Sequence, residues 1–271
     1  MGGLHMSENP KKKIGVVGVG WVGGAMARYF SGSGHEVLPY DPPKGHADIG
    51  VLKDADAIFV CVPTPFDPGR GGFVSSYVEE AVSKIPGSKT VVIKSTVMPG
   101  TTAALQERFP GHRIMFNPEF LREKTADEDF SRPDRQIIGV TKASAGNAEA
   151  VLKLLPPAPY TRVVGASEAE TIKYFGNCFL ALKVVFANQL YDVCAKLGLD
   201  YEAVKDCAAA DPRIGPGHLQ IFTDGYRGYG GHCFPKDVKA FVQLGDRIGV
   251  DLELLKTCDR INERLLSRRK K

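Results

Sequence analysis

Five short apolar runs recur through the first half of the chain: Lys13–Val17 (KIGVV), Glu36–Tyr40 (EVLPY), Ala57–Val62 (AIFVCV), Lys89–Lys94 (KTVVIK) and Arg113–Phe116 (RIMF). Helix-like stretches near Val22–Ser33, Ser75–Lys84 and Thr101–Phe109 separate them. Strands that are apolar almost throughout need cover on both faces, and strands joined by helices run parallel. The spacing therefore predicts an α/β unit with a doubly wound, mostly parallel sheet. Later runs at Gln136–Val140 and Thr161–Val164 extend it.

The pattern changes after Gly165. Glu168–Leu197 runs thirty residues without proline, opens after Ser167 as a candidate N-cap and ends at Gly198. Its apolar residues, among them Ile172, Phe175, Phe179, Leu182, Val185, Phe186, Leu190 and Val193, wrap most of the circumference. Such a helix must be buried on several sides, and a contact between subunits would supply the missing cover. Further helices are expected near Tyr201–Ala209, Lys236–Ile248 and Leu252–Leu266, with a glycine-rich loop, Gly215–Gly231, between the first two. At 271 residues the chain is longer than the roughly 150 typical of one domain. A sheet domain over 13–166 and a helical domain over 167–267 account for the excess. Residues 1–12 read as a tag remnant and a disordered start, and 268–271 as a basic tail.

The net charge of +4 comes from the ends. Without Lys11–Lys13, Arg268–Lys271 and Glu8, the body carries 28 basic against 30 acidic residues, which argues against nucleic-acid binding. No signal peptide is visible and no run of apolar residues reaches membrane-spanning length, so no membrane partner is expected. The six cysteines show neither C-x-x-C nor metal-ligand spacing. Reduced thiols in a cytoplasmic protein, with no bound metal, are the expectation.

Gly18-Val19-Gly20-Trp21-Val22-Gly23 is a G-x-G-x-x-G between a strand and a helix. Its glycines allow a tight turn, close approach of a pyrophosphate to the helix N-terminus, and close helix–strand packing. Asp41 ends the next strand, eighteen residues past Gly23, where a carboxylate binds a ribose 2′-hydroxyl and disfavours a 2′-phosphate. That points to NAD rather than NADP, although Lys44 stands nearby. Cys233, in Gly-Gly-His-Cys-Phe-Pro-Lys-Asp (230–237), opens a helix beside Lys236, a setting that activates a thiol. The other five cysteines read as inert core residues. Lys173 and Asn177 share one helix face, and Glu119 and Glu123 are likewise four apart. Ser95-Thr96-Val97-Met98-Pro99-Gly100-Thr101 is a strand-to-helix turn at the carboxyl edge, where open sheets place ligands.

These segments, with Cys61-Val62-Pro63-Thr64-Pro65, Asn117-Pro118-Glu119-Phe120-Leu121-Arg122-Glu123 and Asp211-Pro212-Arg213-Ile214-Gly215, stand in the order found in the UDP-glucose/GDP-mannose 6-dehydrogenase family. The chain resembles that family from Lys13 to about Glu263. The resemblance implies a Rossmann-like cofactor domain followed by a helical dimerisation domain built on the long helix, 168–197, hence a homodimer. It implies NAD-dependent, four-electron oxidation of the C6 hydroxyl of a nucleotide sugar, with UDP-glucose to UDP-glucuronate the first choice.

By the same resemblance, Cys233 is the nucleophile that holds a thiohemiacetal and then a thioester. Lys173 and Asn177 stabilise oxyanion charge, and Asp237 positions water or manages the Lys173 proton. Thr96, Glu119 and Glu123 surround the reacting groups. The implied cofactor residues are Gly18, Gly20, Trp21, Val22, Gly23, Asp41, Val62, Pro63, Thr64, Ser95, Thr96 and Glu123. Glu119, Phe120, Leu121, Lys173, Asn177, Tyr229 and Gly230 line the substrate, and Arg213 reaches into the neighbouring subunit's site.

Two departures stand out. Only Asp41 to Asp54 connects the second and third strands, so a crossover is expected to be trimmed. The sequence also stops at Lys271, where the family's nucleotide-sugar-binding third domain is expected to begin. Two other readings remain: a two-electron β-hydroxyacid-type dehydrogenase, which needs no thiol, and a non-catalytic NAD-binding subunit.

Overall fold

A computed structural model describes residues 11–70, 72–223 and 225–267; the expected tag remnant, apart from Lys11 and Lys12, and the basic tail lie outside them. The chain forms two compact units. The first holds residues up to Thr64 together with Val74–Lys173, and the second Pro65–Phe73 together with Tyr174 onward.

In the first unit, seven strands form one sheet: β1 (Lys13–Val17), β2 (Glu36–Tyr40), β3 (Ala57–Val60), β6 (Thr90–Ile93), β7 (Arg113–Phe116), β8 (Arg135–Val140) and β9 (Tyr160–Gly165). Their spatial order is β2-β1-β3-β6-β7-β8-β9, and every pairing is parallel except β7 with β8. The central strands are buried along their length because helices cover both faces. One face packs Val17, Ile58, Val60, Val91, Ile93 and Phe116 under α2 (Ser76–Ser83) and α3 (Thr101–Arg108). The other packs Ile14, Val16, Phe59 and Met115 under α1 (Trp21–Gly32), α4 (Ala126–Ser131) and α5 (Ala148–Leu154). Within that layer the buried Phe30 stands 5.3 Å from Phe59, ring centre to ring centre.

The strand order bears out the shortened connection. A doubly wound sheet of order 3-2-1-4-5-6 carries a third strand outside the second. Here β2 is outermost, and two short 3₁₀ segments, Pro42–Lys44 and Ile49–Asp54, lead directly back to β3.

The second unit is helical: α6 (Ala166–Leu197) from Tyr174 onward, α7 (Tyr201–Ala209), α8 (Phe234–Ile248) and α9 (Glu253–Ser267). The two-residue strands β4 (Phe66–Asp67) and β5 (Gly72–Phe73) belong to it. Cys178, Ala181, Val185, Val238, Leu255 and Cys258 form its core. Ser167 lies inside the first turn of α6 rather than capping it, because the helix already begins at Ala166.

Helix α6 is long and apolar enough, by length and composition alone, to cross a membrane. It reaches that length without an unbroken apolar run, since Lys173, Asn177, Lys183 and Asn188 interrupt it. The buried Lys173, Asn177 and Asn188 all have protein partners. One side of α6 is buried through Tyr174, Cys178, Ala181 and Val185, while Phe175, Phe179, Phe186 and Val193 remain more than half exposed. Burial on several sides is thus not achieved within one chain.

Candidate active site

The glycine turn sits where the strand order reverses, between β1 and β3, at the carboxyl ends that open sheets use for ligands. Gly18 has φ +86°, and a Cβ there would stand 2.8 Å from the Cys61 carbonyl oxygen. A Cβ on Gly23 would come within 1.9 Å of the Gly18 carbonyl oxygen, so only glycine lets α1 leave the strand this closely. At Gly20, the N-cap of α1, nothing lies within 4 Å of an added Cβ. That open space at a helix N-terminus suits a pyrophosphate. The turn is held by Asp41, whose carboxylate accepts from the Val19 N–H at 2.7 Å, and by Lys44, which donates to the Val19 carbonyl. These residues fit a dinucleotide. Across the switch point, Ser95 Oγ donates to the Val62 carbonyl at 2.6 Å, tying the strand end before Pro63 and the buried Thr64 to the turn that carries Thr96.

Further along the edge of the first unit, Glu119 and Lys173 form a buried ion pair. Lys173 Nζ donates to Glu119 Oε1 and to the Glu119 carbonyl, both at 2.7 Å, while Glu119 Oε2 accepts from the Leu121 N–H at 2.9 Å. Burial pushes the Glu119 carboxyl up, but Lys173 and the Leu121 N–H outweigh it and hold it below the ordinary carboxylate value. Two cations approach Phe120, with the Arg135 guanidinium 3.8 Å and the Lys173 ammonium 5.9 Å from its ring centre. Glu123, by contrast, is exposed at the start of a 3₁₀ turn.

In the second unit, Cys233 is exposed and occupies the N-cap position of α8, with Pro235 in the first turn. Asp237, in that same turn, is 1% exposed; it accepts from Asn177 Nδ2 at 2.5 Å and pairs with Lys236. Asp237 is therefore engaged by Asn177 rather than left to solvent. Tyr229 is buried, and Gly230 is half-buried beside Tyr226. The Arg213 guanidinium is exposed and grips Asp211 of its own chain through two nitrogens. Lys183 of α6 steadies that turn by donating to the Ile214 carbonyl at 2.8 Å.

The cysteines divide sharply. Burial pushes Cys61 and Cys178 up to about 12 and Cys258 up to about 11. Cys207, expected in the core, is exposed on α7, because that helix buries little besides Tyr201. No metal-binding cluster of His, Cys, Asp or Glu occurs among the described residues.

Two buried polar groups escaped the sequence reading. Lys94, 4% exposed, donates to Asn117 Oδ1 at 2.7 Å, and Asn117 in turn donates to the Ile137 carbonyl. Burial lowers Lys94 to about 8. The signal was a lysine closing a strand that is otherwise apolar. Glu170 of α6, fully buried, accepts from the Gly100 and Thr102 N–H groups and from Thr102 Oγ1, capping α3. Its partners lie about seventy residues away, and no local pattern marks it.

A glycine turn at the switch point of a mostly parallel sheet defines a dinucleotide-binding domain, here followed by a helical unit that presents a thiol at a helix start. Comparison with known proteins narrows the class. Residues 44–155 match the NAD binding domain of the UDP-glucose/GDP-mannose dehydrogenase family, and residues 167–264 match that family's central domain. The chain belongs to the UDP-glucose/GDP-mannose dehydrogenase family, and NAD is the cofactor of its first domain. The first match begins at Lys44, past the glycine turn and within the shortened connection.

A UDP-glucose 6-dehydrogenase of Rickettsia conorii is 38% identical over 78% of this chain and 50% of its own length. One from Rhizobium meliloti is 31% identical over 93% of this chain and 67% of its own. The solved UDP-glucose dehydrogenase of Pyrobaculum islandicum superposes with a TM-score of 0.82 at 32% identity, covering 97% of this chain and 70% of that one. The chain thus spans half to about two-thirds of the length of these relatives.

Proposed function

We propose that this protein oxidises the C6 hydroxyl of a nucleotide sugar to a carboxylate, with UDP-glucose the first candidate substrate. NAD, when bound, accepts the hydride of each of the two oxidations. The observation that carries the reading is Cys233, an exposed thiol at the N-cap of α8.

The thiolate adds to the C6 aldehyde and holds it as a thiohemiacetal, so the intermediate is not released between oxidations. The second oxidation leaves a thioester, and one water hydrolyses it to the acid and returns the thiol. Lys173 and Asn177 stabilise the oxyanions formed on the way, a cation and an amide donor suited to a water-poor site. The Glu119 carboxylate holds Lys173, and Asp237 orients the Asn177 amide. Thr96 and Glu123 complete the polar surround, with Phe120, Leu121, Tyr229 and Gly230 on the substrate side.

The cofactor rests on Gly18, Gly20, Trp21, Val22, Gly23 and Asp41, with Val62, Pro63, Thr64, Ser95 and Thr96 across the switch point. Two copies pair through the exposed stripe of Phe175, Phe179, Phe186, Leu190 and Val193 on α6, and Arg213 exchanges Asp211 for the partner's substrate. The six cysteines, none of them in a disulfide, suit the cytoplasm.

The test is stoichiometry. Purified protein with NAD and a panel of UDP- and GDP-sugars should yield two NADH per sugar acid. One NADH per ketone would establish a two-electron dehydrogenase, and NAD binding without turnover a non-catalytic subunit. Cys233→Ser should abolish acid formation and leave NAD affinity unchanged; acid made at the wild-type rate would refute the covalent route.

A further inference from the structure

We infer that Asn262 and Arg227 are positioning residues that clamp the loop before Cys233 from two sides and so place its thiol. The inference rests on Cys233 being the nucleophile proposed above.

The segment Gly228-Tyr229-Gly230-Gly231 leads into Cys233, and three glycines in four residues would by themselves leave the thiol ill placed. From α9, the fully buried Asn262 takes both hydrogen-bonding groups of one residue: its Oδ1 accepts from the Tyr229 N–H at 2.7 Å, and its Nδ2 donates to the Tyr229 carbonyl at 2.9 Å. One side chain thereby does what a neighbouring strand does in a sheet.

From α6, Asn188 and Asp192 hold Arg227. Its Nε donates to Asn188 Oδ1 at 2.9 Å, one terminal nitrogen to the Asn188 carbonyl at 2.9 Å, and the other to Asp192 Oδ1 at 2.7 Å. The guanidinium lies 5.0 Å from the Tyr191 ring centre. Asn188 is itself fully buried and bonded to the Val184 carbonyl, so the anchor point is fixed.

The glycines on either side of Tyr229 have a steric reason. Gly228 has φ +86°, and a Cβ there would stand 2.5 Å from Asn262 Oδ1. At Gly230 it would stand 2.2 Å from the Tyr226 hydroxyl oxygen. The clamp reaches the thiol through the Tyr229 ring, 3% exposed, which meets the Phe234 ring edge-on at 6.2 Å. Phe234 is the first residue of α8, and Cys233 precedes it at the end of the helix where the dipole favours an anion.

The test compares wild type with Asn262→Ala, Asn262→Asp and Arg227→Lys. Asn262→Asp keeps the acceptor for the Tyr229 N–H and loses the donor to its carbonyl. The readout is the rate of iodoacetamide alkylation at Cys233, followed by peptide mass spectrometry, relative to the exposed Cys207 in the same molecule. The Cys233:Cys207 ratio should fall about tenfold in Asn262→Ala, about 1.4 kcal/mol of positioning, and by less in Asn262→Asp and Arg227→Lys. NAD affinity should stay unchanged, and kcat should fall without a change in the KM for NAD. An unchanged ratio in folded Asn262→Asp and Arg227→Lys, even with a lowered Tm, would leave the two residues as fold supports and overturn the inference. If Asn262→Ala fails to fold, the two conservative variants decide. Wild-type protein inert on every sugar nucleotide, with a ratio that still falls in the variants, would sink the proposed activity and leave the clamp standing.

Discussion

Two glycines one helical turn apart should fail in different ways when given the same methyl group. In Gly23→Ala the new Cβ would sit 1.9 Å from a backbone oxygen, about 1.1 Å short of the closest contact that real Cβ atoms show. The obstacle is the Gly18 carbonyl of the turn itself, so α1 must back away from β1. Overpacking of this kind costs about 1–3 kcal/mol, and the displaced turn should also bind NAD poorly. In Gly20→Ala the methyl meets nothing within 4 Å, at an ordinary φ of −77°, so the fold should be unaffected. The methyl nevertheless occupies the space a pyrophosphate would approach. Hydrogen bonds to a charged group are worth about 1.5–3 kcal/mol, so losing one raises the Kd for NAD roughly 10- to 100-fold. Urea unfolding and fluorescence titration with NAD, run on both variants, separate the two effects. Wild-type affinity in Gly20→Ala would refute the assignment of this turn as the pyrophosphate cradle, and wild-type stability in Gly23→Ala would refute the steric argument.

Glu170→Ala leaves the Gly100 and Thr102 donors buried without their acceptor and should cost about 3 kcal/mol or more in urea unfolding. Asp129, held down to about 2 chiefly by its hydrogen bond from Arg122, contributes stability that is present above its ordinary value of 3.8 and is lost as pH falls toward 2. Acid unfolding of Arg122→Ala should accordingly show a shallower loss over that window than wild type does. Phe179→Asp and Phe186→Asp place charges in the exposed stripe of α6, and sedimentation velocity should show a monomer where the proposed dimer is expected of wild type; a dimer retained in the variants would refute this interface.

What was legible in the sequence was whatever announces itself locally. Apolar runs such as Ala57–Val62 marked the central strands because both of their faces are covered, and the glycine turn is identified by residues only five apart. The trimmed connection between β2 and β3 was also visible, as a plain shortage of chain between Asp41 and Asp54. The short helices α4 and α5 went unread because six or seven residues carry too little period to stand out. The strands β4 and β5, two residues each, had no period at all. Among candidate site residues, Cys233, Lys173, Glu119, Asn177 and Asp237 could be named from motifs, but which of them touch could not. Asn262 meets Tyr229 across thirty-three residues, and Glu119 meets Lys173 across fifty-four. Such partnerships depend on how the helices pack, which one-dimensional spacing does not encode. The misjudged exposure of Cys207 has a related cause: an apolar context on a helix does not say which face the fold will cover.

The outermost position of β2 has a consequence for what can be added to this sheet. Glu36 donates to the Lys12 carbonyl and Tyr40 accepts from the Gly18 N–H. The even-numbered residues of β2 therefore spend their backbone groups on β1, while Val37 and Pro39 turn theirs outward. Pro39 has no N–H, so the rim lacks the donor that another strand would need at its centre. A bare sheet margin invites pairing with foreign chains; here the invitation is withdrawn by a single imino acid. The same residue makes the shortened cofactor domain hard to lengthen, since a strand spliced in beyond β2 would find no partner at Pro39 until that proline was replaced.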